Sequence, residues 1–263
     1  MDEIRHTISP HDLHRSIGTA ASPLIIDVRR PDAFDADDTL IAGAIRRLPD
    51  AVERWRNELP TGRRVVAYCA HGQQVSQGVA AALLAAGADA GYLEGGISAW
   101  RTLGLPTRRR IGAAPGKWVT RERPKVDRIA CPWLIRRFID PEAEFLYVPS
   151  AQVREVAART GAVPYDIADV AFGHVGDRCS FDAFIRIYGI ADRALDRLAL
   201  IVRGADTGAP ELAPQSPGLV ALSQGLSATI ADDHEMLKHG MILYDALYAW
   251  CRAQEGGTRV RPG

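Results

Sequence analysis

The amino-acid sequence predicts an α/β domain built on a parallel sheet with flanking helices, followed by a helix-rich second domain of the α or α+β class. Two observations lead to this fold class. Short, continuously apolar segments separated by helix-like segments fill residues 1–106, which is the pattern of parallel strands buried on both faces. Longer amphipathic segments follow after residue 125, and such segments are typical of packed helices.

The elements of the first domain alternate along the chain. Ser9 and Pro10 predict the start of a helix at residues 11–17, because serine caps helices and proline suits their first turn. The remaining predicted elements are strands at 24–28, 65–68 and 91–93 and helices at 78–86 and 97–102. The carboxyl ends of parallel strands meet at one edge of the sheet, which is where functional sites lie and where Cys69 falls.

The composition changes twice more along the chain. A Pro-, Gly- and Arg-rich stretch predicts an interdomain linker at 108–124 between a first domain at 1–107 and a second at 125–252. In the second domain we expect helices at 133–139, 182–188, 191–202, 219–231 and 233–250, and a strand at 144–148. The last two helices form either a pair or one kinked helix, and residues 253–263 form a flexible tail.

Composition and cysteine spacing exclude several protein classes. A content of 47% hydrophobic residues and a net charge of zero indicate a globular protein. There is no secretory-signal pattern and no apolar run of the ~20 residues that span a bilayer. The four cysteines lack the Cys-x-x-Cys spacing of a zinc ribbon, so we expect reduced thiols, a cytoplasmic location and no membrane partner.

Basic residues concentrate between Thr107 and Arg137, where only Glu122 and Asp127 oppose them. The pattern is compatible with two interpretations. It describes either a solvated linker with one arginine-rich helix face, or a surface that attracts an oxyanion or nucleic acid.

Cys69 is the strongest candidate for a catalytic residue. It ends a predicted buried strand and precedes a short loop and a helix, so backbone N–H groups converge on its thiol. Such surroundings lower a thiol pKa and favour a nucleophilic thiolate. The alternative is a buried, inert cysteine. The amides of residues 70–75 would surround the sulfur, and the residues of the predicted binding loop are Ala70, His71, Gly72, Gln73, Gln74, Val75 and Ser76.

Residues 5–107 resemble the rhodanese family. The resemblance rests on the Cys69 loop, on Ile26-Asp27-Val28-Arg29, on Gly43-Ala44-Ile45 and on the run from Leu93 to Trp100. It implies transfer of a sulfane sulfur from thiosulfate or a similar donor to a thiophilic acceptor, such as a thiol or cyanide, through a Cys69 persulfide. No cofactor is implied for that transfer. Asp27 and Arg29 would support the loop, with Asp27 organising either the loop or Arg29 rather than acting as a base.

The chain departs from the rhodanese pattern at two places. Residues 40–44 read Leu-Ile-Ala-Gly-Ala where the family commonly has His-Ile-Pro-Gly-Ala. Gln74 stands at the fifth loop position, where many single-domain members have arginine. Because that arginine would help to bind a dianion, its absence bears on thiosulfate affinity rather than on the persulfide.

The second domain resembles the C-terminal domain of the chromate-resistance (ChrB-type) family. The segments that carry the likeness are 127–141, 172–174, 200–207 and 243–248. The resemblance implies an association with oxyanion or metal stress, with chromate as a candidate ligand. The DNA-reading half that such proteins often carry is replaced here by the rhodanese-like half, so we expect no nucleic-acid partner.

Candidate metal ligands also occur in this domain. His174 and Asp206 lie in separate segments, and Glu235 and His239 are four residues apart and share a helix face. Together they could hold a divalent metal ion near Cys179. The alternative is a hydrogen-bonded loop histidine and an exposed helix pair. Cys131, beside Pro132, is expected in the core.

The sequence therefore favours a sulfurtransferase of the thiosulfate type, linked to chromate or metal stress by its second domain. The alternative is a non-catalytic sensor or regulatory protein that binds an oxyanion or metal. A cysteine-dependent phosphatase or arsenate reductase would need a longer phosphate loop ending in arginine, and Gln74-Val75-Ser76 does not supply one.

Overall fold

The computed structural model describes residues 6–112 and 115–255. It divides into two compact units. The first comprises the described residues up to Ile111 together with Arg137–Pro141, and the second comprises the remainder.

A five-stranded parallel sheet forms the first unit. Its strands, in the spatial order β1-β6-β5-β2-β4, are β1 (Thr7–Ile8), β6 (Ala90–Leu93), β5 (Val65–Tyr68), β2 (Leu24–Asp27) and β4 (Ala44–Arg46). Every residue of β2 and β5 is buried, because both strands are central. The predicted α/β fold class is confirmed, and Cys69 follows the central strand β5.

The helices of the first unit connect its strands. They are α1 (Pro10–Ser16), α2 (Pro31–Asp35), α3 (Val52–Trp55), α4 (Gln74–Ala85) and α5 (Gly96–Thr102), with 3₁₀ turns at Pro49–Ala51 and Arg56–Glu58. Ser9 caps α1 as predicted, because its side chain accepts a hydrogen bond from Asp12 N. Helix α4 begins at Gln74 rather than at residue 78, so Ser76 lies in its first turn.

The predicted linker at 108–124 is wrong, because much of it is regular structure. Strand β7 (Thr107–Arg109) pairs antiparallel with β3 (Thr39–Ile41). This strand was missed in the sequence because its arginine-rich composition resembles that of an exposed linker. In a strand, alternate side chains point to opposite faces, so one arginine can be buried beside an exposed one. Arg108 is buried and donates to the Ala44 carbonyl at 2.9 Å, whereas Arg109 is exposed.

The second unit contains a three-stranded parallel sheet in the order β10-β8-β9. Its strands are β8 (Lys117–Arg121), β9 (Glu144–Val148) and β10 (Val163–Pro164). The central strand β8 lies within the predicted linker, and Trp118, Val119 and Thr120 are fully buried. This central strand was missed in the sequence because only three uncharged residues separate Lys117 from Arg121. The predicted strand at 144–148 matches β9.

Six helices follow in the described part of the second unit and make it helix-rich, as predicted. They are α6 (Asp127–Leu134), α7 (Val153–Thr160), α8 (Ser180–Tyr188), α9 (Arg193–Asp206), α10 (Ser216–Thr229) and α11 (Asp233–Glu255). Helix α6 runs into a π-helical segment, Ile135–Ile139, and 3₁₀ turns occur at Ser150–Gln152 and Pro210–Leu212. Extended backbone at Ile230 separates α10 from α11, so these are two helices.

Two expectations about chain ends and membranes can be compared with the described residues. Helix α11 continues to Glu255, so the predicted tail does not begin at residue 253, and residues 256–263 lie outside the described part. Within residues 6–112 and 115–255, no helix has both the length and the apolar character needed to cross a membrane. All four cysteines are free and buried.

Candidate functional site

Cys69 lies at the carboxyl end of β5, with its thiol facing a short loop. We call residues 69–76 the Cys69 loop. The residue is only 5% exposed, and its Sγ lies 3.2 Å from Ser76 Oγ in the first turn of α4. Ser76 is fully buried, and its Oγ also lies 3.3 Å from the Gln73 carbonyl oxygen, so its one proton can be donated either to that oxygen or to the sulfur. The loop therefore closes over the thiol and brings the start of the helix to it.

The segment 93–98, which ends in the first turn of α5, contacts the Cys69 loop. Ile97 N donates to the Cys69 carbonyl and Ser98 N to the Ala70 carbonyl, both at 3.0 Å. The Cys69 and Ala70 carbonyl groups therefore point toward the start of α5. Backbone N–H groups of the loop point toward the sulfur.

Glycine is required where these two segments touch. Gly72 has a φ of +67°, and a Cβ there would lie 2.5 Å from the Leu93 carbonyl oxygen. Gly96 has a φ of +57°, and its Cβ would lie 2.3 Å from the Cys69 carbonyl oxygen. Both positions need left-handed backbone and a bare backbone surface. This explains why Gly72 and the Gly95-Gly96 pair occur together in the sequence.

The surroundings of Cys69 favour its thiolate. Burial opposes ionisation, but hydrogen bonds from the Ser76 hydroxyl and from the backbone N–H groups of Ser76, His71 and Gln73 outweigh it, and the pKa of Cys69 is lowered. All the stabilising groups are neutral. The sulfur can therefore be ionised without a permanent cation bound to it.

A pocket of about 290 Å³ opens onto this sulfur. Arg30, Asp32, His71 and Gln74 are among its lining residues. Arg30 is exposed, and the His71 imidazole lies 3.2 Å from Ser98 Oγ through Nδ1. Arg30 was missed in the sequence, although it follows the end of a neighbouring strand and so belongs to the same sheet edge. It places an exposed cationic side chain in the lining of the pocket.

Asp27 and Arg29 form a buried pair, and Arg29 also contributes to the lining of the pocket. Arg29 Nη2 lies 2.6 Å from Asp27 Oδ2, and both side chains are at most 2% exposed. Tyr68 donates its hydroxyl to the same carboxylate at 2.9 Å, and Asp37 accepts from Arg29 Nη1 at 2.5 Å. Because its guanidinium bonds to Asp27 and Asp37, Arg29 fixes the ends of β2 and β5. The Asp27 carboxylate is buried and already accepts from Arg29 and Tyr68, so it is not placed to take a proton from a substrate.

The second unit brings His174 and Asp206 together, as predicted, and adds two further carboxylates. His174 Nε2 lies 3.2 Å from Asp206 Oδ2, 3.2 Å from Asp166 Oδ1 and 3.5 Å from Asp127 Oδ2. We call these four residues the Asp–His cluster. Asp127 starts α6, Asp206 ends α9, and Asp166 and His174 lie in the segment between β10 and α8.

Charge and burial shift two pKa values in this cluster. The hydrogen bond with Asp127 raises the pKa of His174 to about 9, against the effect of burial. Burial, and then the nearby carboxylates of Asp127 and Asp166, raise the pKa of Asp206 to about 7. The imidazole is 44% exposed, whereas Asp127 is 1% and Asp166 5% exposed. The cluster thus combines buried carboxylates with a histidine that solvent can reach.

Glu235 and His239 do not join this cluster, so their prediction as ligands alongside His174 and Asp206 is wrong. Among the described residues, the group with ligand atoms within 4.8 Å of one another consists of Asp127, His174 and Asp206. Glu235 instead pairs with Lys238 on the exposed surface of α11. The spacing of four residues between Glu235 and His239 correctly indicated that they share a helix face. It could not indicate which residues lie opposite that face.

Cys131 and Cys179 lie near the cluster as buried thiols. Burial and then the Asp127 carboxylate raise the pKa of both. Cys131 Sγ donates to Asp127 Oδ1 at 3.2 Å, and Cys179 caps α8 together with Asp182. Both thiols are therefore protonated parts of the core, as expected for Cys131.

Several arginines of the basic segment are held within the second unit. Arg121 and Arg128 both pair with Asp166, at 2.8 and 3.4 Å. Arg123 donates to the carbonyl groups of Ile230 and Ala231 at 3.4 and 3.2 Å. These contacts give structural roles to three of the basic residues for which the sequence also allowed an anion-attracting surface.

Comparison with known proteins identifies both halves of the chain. The sequence pattern of the rhodanese-like domain matches residues 9–103, and that of the ChrB C-terminal domain matches residues 118–251. "Protein ChrB" of Cupriavidus metallidurans is 36% identical over 145 residues, which are 55% of this chain and 43% of that protein. The chain thus spans less than half of this relative's length.

Two solved structures are similar to the first unit. A rhodanese-related protein from Thermoplasma volcanium is 24% identical, with a TM-score of 0.34, over 39% of this chain and 96% of the other. A rhodanese-like domain protein from Staphylococcus aureus is 26% identical, with a TM-score of 0.33, over 36% of this chain and 90% of the other. The chain belongs to the ChrB C-terminal domain family and carries a rhodanese-like domain ahead of that domain.

Proposed function

We propose that this protein is a sulfurtransferase in which Cys69 takes a sulfane sulfur from thiosulfate or a similar donor and passes it to a thiophilic acceptor. The observation that carries the proposal is the Cys69 thiol, held 3.2 Å from Ser76 Oγ under a loop of backbone N–H groups. The rhodanese-like domain at residues 9–103 supports the same chemistry.

The first step is attack by the Cys69 thiolate on the outer sulfur of thiosulfate. A bond forms between Sγ and that sulfur, the sulfur–sulfur bond of thiosulfate breaks, and sulfite leaves with the bonding electron pair. The lowered pKa of Cys69 increases the fraction of thiolate at neutral pH. Because the stabilising groups are neutral, the thiolate remains free to react.

The second step transfers the outer sulfur of the persulfide to the acceptor. Cyanide, for example, attacks that sulfur and leaves as thiocyanate, and the Cys69 thiolate is regenerated. The outer persulfide sulfur bears negative charge, which backbone N–H groups around the pocket stabilise as dipoles. The pocket volume of about 290 Å³ admits a small anion.

Arg30 and His71 are proposed to position anionic donors. Both line the pocket, and Arg30 is exposed there while Arg29 is committed to Asp27 and Asp37. Arg30 lies outside the Cys69 loop, so it attracts the donor without neutralising the sulfur directly. This replaces the contribution of an arginine at the position of Gln74.

The second unit is proposed to link this activity to chromate or metal stress. The support is its membership of the ChrB C-terminal domain family. We also propose a cytoplasmic location, because the cysteine spacing is not that of a disulfide framework.

The test is sulfur uptake by the intact protein. Wild type, Cys69→Ser and the control Cys251→Ala are incubated with thiosulfate or with mercaptopyruvate. Intact mass is measured for the gain of one sulfur atom, and thiocyanate release is measured after cyanide is added. We expect a sulfur adduct and turnover in wild type and in Cys251→Ala, and neither in Cys69→Ser.

Two results would contradict the proposal. An adduct that persists in Cys69→Ser would place the chemistry elsewhere. No adduct with either donor in wild type would overturn the sulfurtransferase and favour a sensor or regulatory protein that binds an oxyanion or metal.

A further inference from the structure

The Asp–His cluster contains more hydrogen-bond acceptors than its histidine can satisfy. His174 offers one Nε2–H at most, yet oxygens of Asp127, Asp166 and Asp206 all lie within 3.5 Å of that nitrogen. A single N–H cannot point at three oxygens in different directions. A small cation with several coordination positions can meet several of these groups at once.

The distances within the cluster fit first-row metal coordination. Ligand atoms about 2.1 Å from one ion lie about 3.0 Å apart at right angles and about 3.4 Å apart in a tetrahedron. His174 Nε2 is 3.2 Å from Asp206 Oδ2 and 3.5 Å from Asp127 Oδ2. Ligand atoms of these three residues lie within 4.8 Å of one another. Only small side-chain adjustments are needed to place an ion between them.

The carboxylate of Asp127 is already oriented by its surroundings. Ser180 N donates to Oδ2 at 2.7 Å and Phe181 N donates to Oδ1 at 3.0 Å, both from the start of α8. Cys131 Sγ donates to Oδ1 at 3.2 Å. Donors of this kind around a ligating carboxylate fix its direction and are typical of built metal sites.

Asp166 flanks this set and links it to two cations. It accepts from Ser180 Oγ at 3.1 Å and pairs with Arg121 and Arg128. Asp166 falls outside the group of three whose ligand atoms lie close together, so we assign it a positioning role. Its Oδ1 lies 3.2 Å from His174 Nε2, beside the three proposed ligands.

An entry path leads from solvent to the histidine. A pocket of about 430 Å³ is lined by Arg121, Asp166, Asp169 and His174, together with Ile167 and Ala168. Asp127 and Asp206 are largely buried, with 1% and 18% of their side chains exposed. An ion can therefore reach the cluster past the imidazole, and water can fill its remaining coordination positions.

We propose that Asp127, His174 and Asp206 bind one divalent first-row transition-metal ion. One imidazole and two carboxylates are a donor set that suits Mn²⁺, Fe²⁺ and Zn²⁺. Three protein ligands leave positions open to water or to an exogenous ligand, as in metal sites that bind a further molecule. The proposal is independent of sulfur transfer, because it uses no residue of the Cys69 loop.

The test measures binding of Mn²⁺ alone and of Zn²⁺ alone to the untagged full chain after chelator treatment. Equilibrium dialysis with elemental analysis gives the number of ions per chain and the affinity. We expect one ion per wild-type chain and at least about tenfold weaker binding in Asp206→Asn and in His174→Gln. The matched control His239→Gln, at an exposed position of α11 outside the cluster, should bind as wild type does.

A spectroscopic measurement separates ligation by His174 from a merely structural effect. In the Mn²⁺ form, pulsed electron paramagnetic resonance should detect a coordinated ¹⁴N nucleus in wild type and in His239→Gln. That signal should disappear in His174→Gln at Mn²⁺ concentrations that restore occupancy. Circular dichroism checks that each variant is folded, and Cys69→Ser should bind Mn²⁺ normally.

Three results would overturn this proposal. The first is no stoichiometric binding of either ion to wild type. The second is binding of Mg²⁺ in preference to Mn²⁺ and Zn²⁺. The third is a ¹⁴N signal that survives in His174→Gln or is lost in His239→Gln, because either would assign the nitrogen ligand to another residue.

Discussion

The Cys69 loop and the Asp–His cluster both control charge, but they do so with different groups. The loop surrounds one thiol with a hydroxyl and backbone N–H groups from residues 71–76. The cluster instead assembles three carboxylates and one imidazole from separate parts of the second unit. The first arrangement is local in sequence and uses dipoles, whereas the second is long-range and uses full charges.

The same chemical group behaves in opposite ways in these two places. The pKa of Cys69 is lowered because donors outweigh the effect of burial. The pKa of Cys131 is raised because burial and then the neighbouring Asp127 carboxylate disfavour its thiolate. Burial of a cysteine therefore says nothing about its reactivity until the groups that face its sulfur are known.

The largest expected effect is the difference in reactivity between these thiols. In native protein at pH 7 we expect Cys69 to be alkylated by iodoacetamide at least about 1,000-fold faster than Cys131 or Cys179. In denaturant all the thiols should react at similar rates. Peptide mapping after timed alkylation measures the rate for each cysteine. Rapid labelling of Cys131 in the native protein would contradict the predicted difference between the two thiols.

The next effect concerns the backbone contact that holds the loop. Gly72→Ala forces a Cβ to within 2.5 Å of the Leu93 carbonyl oxygen, so the N–H groups should turn away from the sulfur. We expect alkylation of Cys69 at pH 7 to slow by about 100-fold. The control is Gly78→Ala, where a Cβ meets nothing within 4 Å and helix α4 should be stabilised by about 0.5–1 kcal/mol.

Equal alkylation rates in these two glycine variants would show that the contact with residues 93–96 does not shape the loop. Circular dichroism and thermal unfolding of both variants distinguish a local rearrangement from loss of the fold.

A smaller effect should separate ligand from positioning residue in the Asp–His cluster. Asp166→Asn keeps an acceptor for Ser180 Oγ but removes the charge that holds Arg121 and Arg128. We expect Mn²⁺ affinity to fall by about tenfold, with the ¹⁴N signal of His174 retained. The matched control is Asp169→Asn, which lines the same pocket but is exposed. Unchanged affinity in Asp166→Asn would remove Asp166 from the site.

The smallest effect tests the hydroxyl beside Cys69. Ser76→Ala removes a hydrogen bond that stabilises the thiolate, so the pKa of Cys69 should rise toward its ordinary value. A higher pKa means less thiolate at pH 7, and alkylation there should slow severalfold. Above pH 10 wild type and variant are both ionised and should react alike. Parallel profiles offset at every pH would contradict this origin of the effect.

Local features of the fold were predictable because their causes are contiguous in sequence. Strand β5 has the predicted bounds, since its four apolar residues directly follow two arginines. The Ser9 cap of α1 is set by a contact three residues away. The Cys69 loop belongs to the same class, because Cys69 and Ser76 are seven residues apart.

Errors arose where composition or spacing was used in place of tertiary contacts. Charged residues in 108–124 indicated a linker, but β8 is the central strand of a sheet and Arg108 is buried against Ala44. Helical spacing placed Glu235 and His239 on one face, but that face does not meet His174. Neither error could be detected without knowing which segments pack together.

The sequence by itself determined the fold class of both units and the position of Cys69 at the end of a strand, because apolar periodicity and short-range hydrogen bonds encode them. Only the tertiary structure decided that Arg30 lines the Cys69 pocket and that Asp127 and Asp166 face His174. The reason is physical. A dipole nest is built from neighbouring peptide groups of one segment, whereas a cluster of full charges depends on side chains that are brought together only when distant segments pack.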